Sequence, residues 1–170
     1  DTMPQLRSIS LAASRRDMVL AHVSGLKERA ELLAEQGQFR GLFHNLITGK
    51  PDTNNREYSQ GRLNGMADGK AVFSAFLVDA RGRVELASAG SQSGADLAGY
   101  PAFVNGMAGP HVGIPRRVDE HFEVVLSAPI HDYSNPPRNV AVLILTANVS
   151  TLAEAVKEAA LAVDGHALHV

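Results

Sequence analysis

The chain of 170 residues has no cysteine and no tryptophan, and aromatic residues make up only 5% of it. The lack of cysteine excludes disulfides, thiolate catalysis and cysteine-based metal sites. With so few aromatic residues, aliphatic side chains and alanine must fill most of the core. No run approaches the roughly 20 apolar residues that a membrane-spanning helix needs. The longest run, Val140 to Leu145, is typical of a buried strand.

The sequence also lacks an excess of charge and the common catalytic motifs. Its net charge is -2, so no basic surface favours nucleic acid as a partner. It has no phosphate-binding loop, no dinucleotide fingerprint and no HExxH pair. The segment Gly90 to Gly94 places its serines on either side of the position that a nucleophile elbow requires. We therefore expect a protein that is not an enzyme and that uses neither a metal ion nor a cofactor.

A hairpin over residues 71–90 organises the prediction of the fold. Phe73 to Val78 is apolar and rich in strand-forming residues, and Asp79 to Gly82 has the composition of a turn. Gly82 adopts a positive φ at no steric cost, as tight reversals need. Arg83 to Ser88 alternates, so Val84 and Leu86 are expected on the same face of the second strand.

The residues before the hairpin predict one long helix over 5–36, ended by Gly37. Its apolar residues recur at steps of three and four, which is typical of a packed helix face and also of a coiled-coil seam. Two interpretations stay open. The helix packs on the sheet of its own chain, or it also pairs with a second copy to form a homodimer. The seam comprises Ile9, Ala12, Val19, Val23, Leu26, Ala30 and Leu33.

The remaining elements predict an α+β fold with one five-stranded antiparallel sheet. Short helices are expected over residues 39–47, 56–66 and 97–108, and further strands over 111–115, 122–130 and 140–147. The sheet core then covers residues 71–147, and a closing helix and exit segment cover 150–170. All of residues 1–170 belong to one domain of ordinary size.

Three stretches in this order resemble Cache domains, also called PDC or extracytoplasmic PAS-like sensor domains. The first runs from Phe76 to Val84, the second from Asp96 to Gly109, and the third is Leu126-Ser-Ala-Pro-Ile130 with the strand Val140 to Ala147. The resemblance covers nearly the whole chain. It implies a PAS-like five-stranded antiparallel sheet, a long N-terminal helix, flanking short helices and a small-molecule pocket on one face of the sheet.

The resemblance also implies a role in signalling. Cache domains lie on the periplasmic or extracellular side of the bacterial inner membrane, in histidine kinases, chemoreceptors and cyclase-type receptors. Their ligands are carboxylates, amino acids or similar metabolites, and the whole receptor is membrane-anchored. We expect ligand binding to bias the long helix and a cytoplasmic output. The alternative is a ligand-free dimerisation module of the same kind of receptor, whose pocket would be filled by its own side chains.

The chain departs from the family pattern at the residues expected to bind the ligand. Tyr100 stands where the family has a ligand-facing arginine, and Ala102 stands where it has a tyrosine. Arg116 or Arg117 is the substitute anchor for a carboxylate, although charges that guard a solvated edge strand explain this pair equally well. The predicted ligand-binding residues are Tyr100 and Phe103 as walls, with Arg116 or Arg117, Asp119 and Ser127 as polar contacts.

Overall fold

The structure is a computed structural model that describes residues 24–89 and 93–149. This part of the chain has four helices and six strands, which confirms the α+β prediction. The elements are α1 (24–34), α2 (Gly37–Thr48), α3 (Thr53–Met66), β1 (Val72–Asp79), β2 (Val84–Ala87), α4 (Pro101–Ala108), β3 (His111–Val112), β4 (Arg116–Val118), β5 (His121–His131) and β6 (Asn139–Asn148). None of these helices is long and apolar enough to cross a membrane.

The strands form a single antiparallel sheet with the order β2-β1-β6-β5-β3. These five strands correspond to the five predicted. The additional strand β4 pairs with residues 121–123 of β5, whereas β3 pairs with residues 126–127 of the same strand. The long central strands β5 and β6 are in register from Val124 opposite Ala147 to Ile130 opposite Ala141. Because side chains alternate along a strand, this register gives the sheet two faces of different composition.

Helices α1, α2 and α3 cover one face of the sheet. The larger hydrophobic cluster lies there, with Phe39 and Phe43 of α2 packed around the fully buried Leu77 and Leu143. Leu26, Ala30 and Leu33 of the predicted seam pack against this cluster. Over residues 24–34 the helix therefore packs on its own chain. Residues 5–23, and the predicted closing segment 150–170, lie outside the described residues.

The predicted end of the first helix at Gly37 is wrong. Helix α1 ends at residue 34, and Gly37 is the first residue of α2. Gln36 leaves the helical conformation with φ −55° and ψ 129°, and its carbonyl accepts hydrogen bonds from the amides of Phe39 and Arg40. Gln36 thus separates two helices, whereas the sequence predicted that Gly37 would end the first helix.

The β1–β2 hairpin forms as predicted, but the side chains of β2 do not alternate between the two faces in the predicted way. Gly82 has a φ of 88°. Leu86 lies opposite Leu77 and Val84 lies opposite Val78, so Glu85 is an extra residue in β2. This bulge turns Val84 to the face opposite Leu86. The predicted common face of Val84 and Leu86 is therefore wrong.

Helix α4 is the main element packed on the second face of the sheet. A Cβ atom added to Gly106 would lie 2.7 Å from Cγ1 of Val142 and 2.8 Å from Oγ of Ser127, so this glycine allows the helix to approach the sheet. Asn139 of β6 donates a hydrogen bond of 2.6 Å to the carbonyl of Met107 near the end of the helix. A helix of eight residues cannot cover the whole face, and a cavity remains beside its N-terminal end.

The prediction of a helix over residues 97–108 is wrong in its first four residues. Helix α4 begins at Pro101, because Asp96 accepts a hydrogen bond from the amide of Ala98 and forms a turn before it. The amide of Leu97 donates to the carbonyl of Gly82 instead of joining the helix.

Candidate functional site

A cavity of about 370 Å³ lies between the N-terminal end of α4, the β3–β4 segment and the sheet. Its floor comes from three neighbouring strands, because Phe76 of β1 pairs with Ile144 of β6 and Thr146 of β6 pairs with Val125 of β5. Paired residues of antiparallel strands point to the same face. The walls are Leu97, Tyr100, Pro101 and Ala102 on the α4 side and His111, Gly113, Ile114 and Arg116 on the other.

The lining is mostly apolar, with a few polar side chains at separate positions. Glu123 lies on the floor strand β5, Thr146 lies on β6, and His111 and Arg116 belong to the far wall. An apolar pocket with a small number of convergent polar groups is the usual form of a small-molecule binding site.

Glu123 is the most enclosed charged group of the cavity. Its side chain is 17% exposed, and Oε1 lies 2.9 Å from Nε2 of His121. The His121 ring in turn packs on Phe73, with ring centroids 4.8 Å apart. Among the described residues, Oε2 of Glu123 has no hydrogen-bond partner. This carboxylate therefore keeps an acceptor available.

Arg116 lies directly across from Glu123 in the β4–β5 ladder. The residue is exposed, and within the described ranges its guanidinium forms no ion pair and no hydrogen bond. The cavity thus has a carboxylate on its floor and a cation at its mouth that form no direct ion pair.

The structure brings two of the six predicted ligand-binding residues to the cavity, Tyr100 and Arg116. Phe103 is buried between α4 and the sheet, in the cluster that contains Val78 and Val142. Ser127 lies beneath α4 at Gly106, with no hydrogen-bond partner for its buried hydroxyl among the described residues. Both support the helix that forms a wall of the cavity.

The other two predicted residues lie at the edge of the sheet. Arg117 alternates with Arg116 and so points to the other face of β4, and its Nε donates to the carbonyl of Asp119. Asp119 has a φ of 54° in the β4–β5 turn. Neither lines the cavity.

Three further residues that line the cavity were not predicted from the sequence: Glu123, His111 and Thr146. A signal for Glu123 was present in β5, where Glu123, Val125 and Ser127 occupy alternate positions and therefore share a face. His111 and Thr146 had no comparable signal, because their place depends on which strands become neighbours. Within residues 24–89 and 93–149, no group of three histidine, aspartate or glutamate side chains is placed to hold a metal ion.

Comparisons with known proteins give a fold and no sequence family. No family model matches the chain. No curated protein matches it either. Among solved structures, the sensor domain of the Vibrio cholerae histidine kinase DctB superposes with a TM-score of 0.60 at 11% identity, over 88% of this chain and 58% of that one.

Two further solved structures have a similar fold. The extracellular domain of vpHK1S-Z8, named as a histidine kinase, has a TM-score of 0.60 at 11% identity, over 92% of this chain and 63% of that one. The ligand-binding domain of the Pseudomonas aeruginosa amino acid chemoreceptor PctC, solved with GABA, has a TM-score of 0.50 at 17% identity, over 89% and 64%. The chain thus spans about three fifths of these domains.

The fold is therefore that of extracellular sensor domains of histidine kinases and chemoreceptors. The resemblance to Cache domains is confirmed at the level of the fold. The cavity beside α4 lies on one face of the sheet, where the resemblance implied a pocket.

Proposed function

We propose that this chain is the small-molecule sensing domain of a bacterial receptor of the histidine kinase, chemoreceptor or cyclase type, on the extracytoplasmic side of the membrane. The observation that carries the proposal is the cavity of about 370 Å³ beside α4. Its volume lies within the range of small-molecule sites, and its mostly apolar lining with few polar groups fits one. The shared fold of receptor sensor domains supports the same role.

The ligand would place its apolar part on the floor, against Phe76, Val125 and Ile144. Tyr100 would cover it from the α4 side. Arg116 would bind an acceptor group of the ligand at the mouth, because a guanidinium binds a carboxylate through two parallel hydrogen bonds. We assign no ligand contact to Phe103 or Ser127, which support α4, nor to Arg117 or Asp119.

Strand β6 contacts both the cavity and the helices on the opposite face of the sheet. This arrangement suggests how ligand binding could affect those helices. Ile144 lines the cavity, while Leu143 and Leu145 on the other face belong to the cluster that contains Ala30 of α1. A ligand that binds one arrangement of the sheet more tightly would bias the position of α1. In this proposal α1, with the predicted helical residues before it, carries the bias towards the membrane and a cytoplasmic output, in a homodimer.

The test is a thermal-shift screen of the chain against organic acids, amino acids, amines and purines. A ligand that binds only the native state raises the melting temperature in proportion to RT ln(1 + [L]/Kd). We expect one chemical class to raise it. Ala102→Trp, which fills the cavity, should abolish the shift, and Ala108→Trp, on the exposed end of the same helix, should preserve it.

Two outcomes would contradict the proposal. If Ala102→Trp keeps the full shift, the ligand binds elsewhere. If no class raises the melting temperature, the ligand-free dimerisation module becomes the better interpretation. That module predicts a dimer whose stability does not change with any of the compounds.

A further inference from the structure

The floor of the cavity carries an acid where a receptor for simple carboxylates would need a cation. Glu123 is the carboxylate among the lining residues, and its side chain is 17% exposed. A carboxylate removed from water needs hydrogen bonds or an opposite charge to offset its lost hydration. The structure supplies it with one contact, from His121 to Oε1.

The arginine in the cavity lining does not complete the pair. Arg116 is opposite Glu123 in the strand register, yet its guanidinium makes no contact with that carboxylate in the described structure. It lies at the exposed mouth of the cavity, and Oε2 of Glu123 stays without a donor from the described residues. Oε2 is therefore available to a hydrogen-bond donor that enters the cavity.

A protonated amine fits this position better than the other common ligand groups. An ammonium has three donors and a positive charge, so its hydrogen bond to Glu123 would be charge-assisted. Phe76 and Tyr100 line the same cavity, and aromatic faces attract cations. A carboxylate near Glu123 would be repelled and has no hydrogen to donate to Oε2.

We propose that the ligand of this cavity carries a protonated amine bound by Glu123, with its apolar part on the floor formed by Phe76, Val125 and Ile144. This inference rests on the proposed function, because it assigns the ligand class of the same cavity. A second, acidic group on the ligand is compatible with Arg116 at the mouth but is not required. We expect carboxylates without an amine to bind more weakly.

The experiment is a calorimetric titration of the chain with matched probes. Each set consists of a primary alkylamine, the carboxylate with the same carbon chain and the ω-amino acid that combines both groups. Because the apolar part is the same within a set, differences in affinity report the charged group. We expect the amine and the amino acid to bind and the carboxylate to bind at least about tenfold more weakly, the size of effect typical of a charged hydrogen bond.

The variant Glu123→Gln keeps the shape of the side chain and removes its charge. We expect it to weaken amine binding by about tenfold or more. The matched control is Glu120→Gln, at an exposed position of the turn before β5 and outside the cavity lining. The control should bind every probe as the original chain does. Circular dichroism and the melting temperature check that both variants fold.

The outcomes separate this inference from the proposed function. If carboxylates bind as tightly as amines, or Glu123→Gln leaves amine affinity within twofold, the amine assignment is overturned while the sensing site stands. If Ala102→Trp fails to block a bound amine, both are overturned. If none of these probes binds, the amine assignment is overturned, and the thermal-shift screen decides the sensing function. The comparison of probes on the original chain needs no variant, so it decides the question even if Glu123→Gln does not fold.

Discussion

Asp132 is the most heavily bonded carboxylate of the described chain and organises the β5–β6 turn. Its Oδ1 accepts from the amides of Arg138 at 2.8 Å and Ser134 at 3.1 Å and from the Ser134 hydroxyl, and Nε of Arg138 lies 3.1 Å from Oδ2. These donors, the Arg138 amide first and the Ser134 hydroxyl second, hold the pKa of Asp132 well below its ordinary value of 3.8. The turn is therefore built around the charged form of this side chain.

The lowered pKa predicts an acid-dependent part of the stability. A carboxyl whose pKa is lower in the folded state stabilises the fold above its unfolded pKa, and this contribution is lost as the pH falls through the folded pKa. We expect Asp132→Asn to reduce the free energy of unfolding at neutral pH. The gap from the original chain should narrow below about pH 4. Urea titrations across a pH series measure it, and a gap that does not change with pH would contradict the assignment.

At the scale of elements, the β1–β2 turn holds a wall of the cavity. The amide of Leu97 donates to the carbonyl of Gly82 at 2.6 Å, and the amide of Val84 donates to the carbonyl of Ala95 at 2.9 Å. These bonds attach the segment before α4 to the outer edge of β2. The segment places Leu97 in the cavity lining and also covers an edge strand that would otherwise expose its backbone.

Gly82 makes this attachment possible by its positive φ and by its lack of a Cβ atom. A matched pair of variants separates these two effects. Its φ is 88°, and a Cβ atom there would lie 2.4 Å from Cα of Ala98. Gly69 has a similar φ of 78° with nothing within 4 Å. We expect Gly69→Ala to cost about 1 kcal/mol from backbone strain alone, and Gly82→Ala to cost clearly more. Gly82→Ala should also weaken ligand binding, because Leu97 moves with the segment.

Denaturation and ligand titrations of both variants check this expectation. Equal destabilisation by the two substitutions would mean that the approach of Ala98 adds nothing. Unchanged ligand affinity in Gly82→Ala would mean that the turn does not position the cavity wall.

At the scale of the whole molecule, one sheet separates a filled core from a face that carries an open cavity. Helices α1, α2 and α3 leave Leu143 fully buried on the first face. Its neighbour Ile144 points to the second face and borders the cavity, although it too is buried. This division allows the second face to keep open volume without unfolding the domain, because the first face supplies most of the buried apolar surface.

The two neighbours on β6 test this division. Leu143→Ala should destabilise the fold by about 2–5 kcal/mol, the usual cost of a new cavity in a closed core. Ile144→Ala should cost less, because one side of its side chain already faces open volume, and it should weaken ligand binding. Denaturant unfolding and ligand titration of each variant measure both effects. A greater loss of stability from Ile144→Ala would contradict the division.

Much of the fold was predictable because local patterns agreed with the tertiary structure. The apolar run before Gly82, the last eight residues of the predicted 97–108 helix, and the seam residues of α1 lie where their spacing indicated. The candidate site was less predictable. Tyr100 and Arg116 reach the cavity, and the alternation along β5 was a signal for Glu123, but His111 and Thr146 line the cavity only because strands distant in sequence become neighbours.

The sequence by itself determined the class of the fold, the positions of most of its elements and, through its short motifs, the likeness to sensor domains. These features depend on propensity and periodicity, which act over a few residues. Only the tertiary structure decided which face of each strand is buried by helices and which borders the cavity. A one-residue bulge in β2 and an eight-residue helix on the second face set that outcome, because side-chain direction and open volume depend on contacts between distant segments.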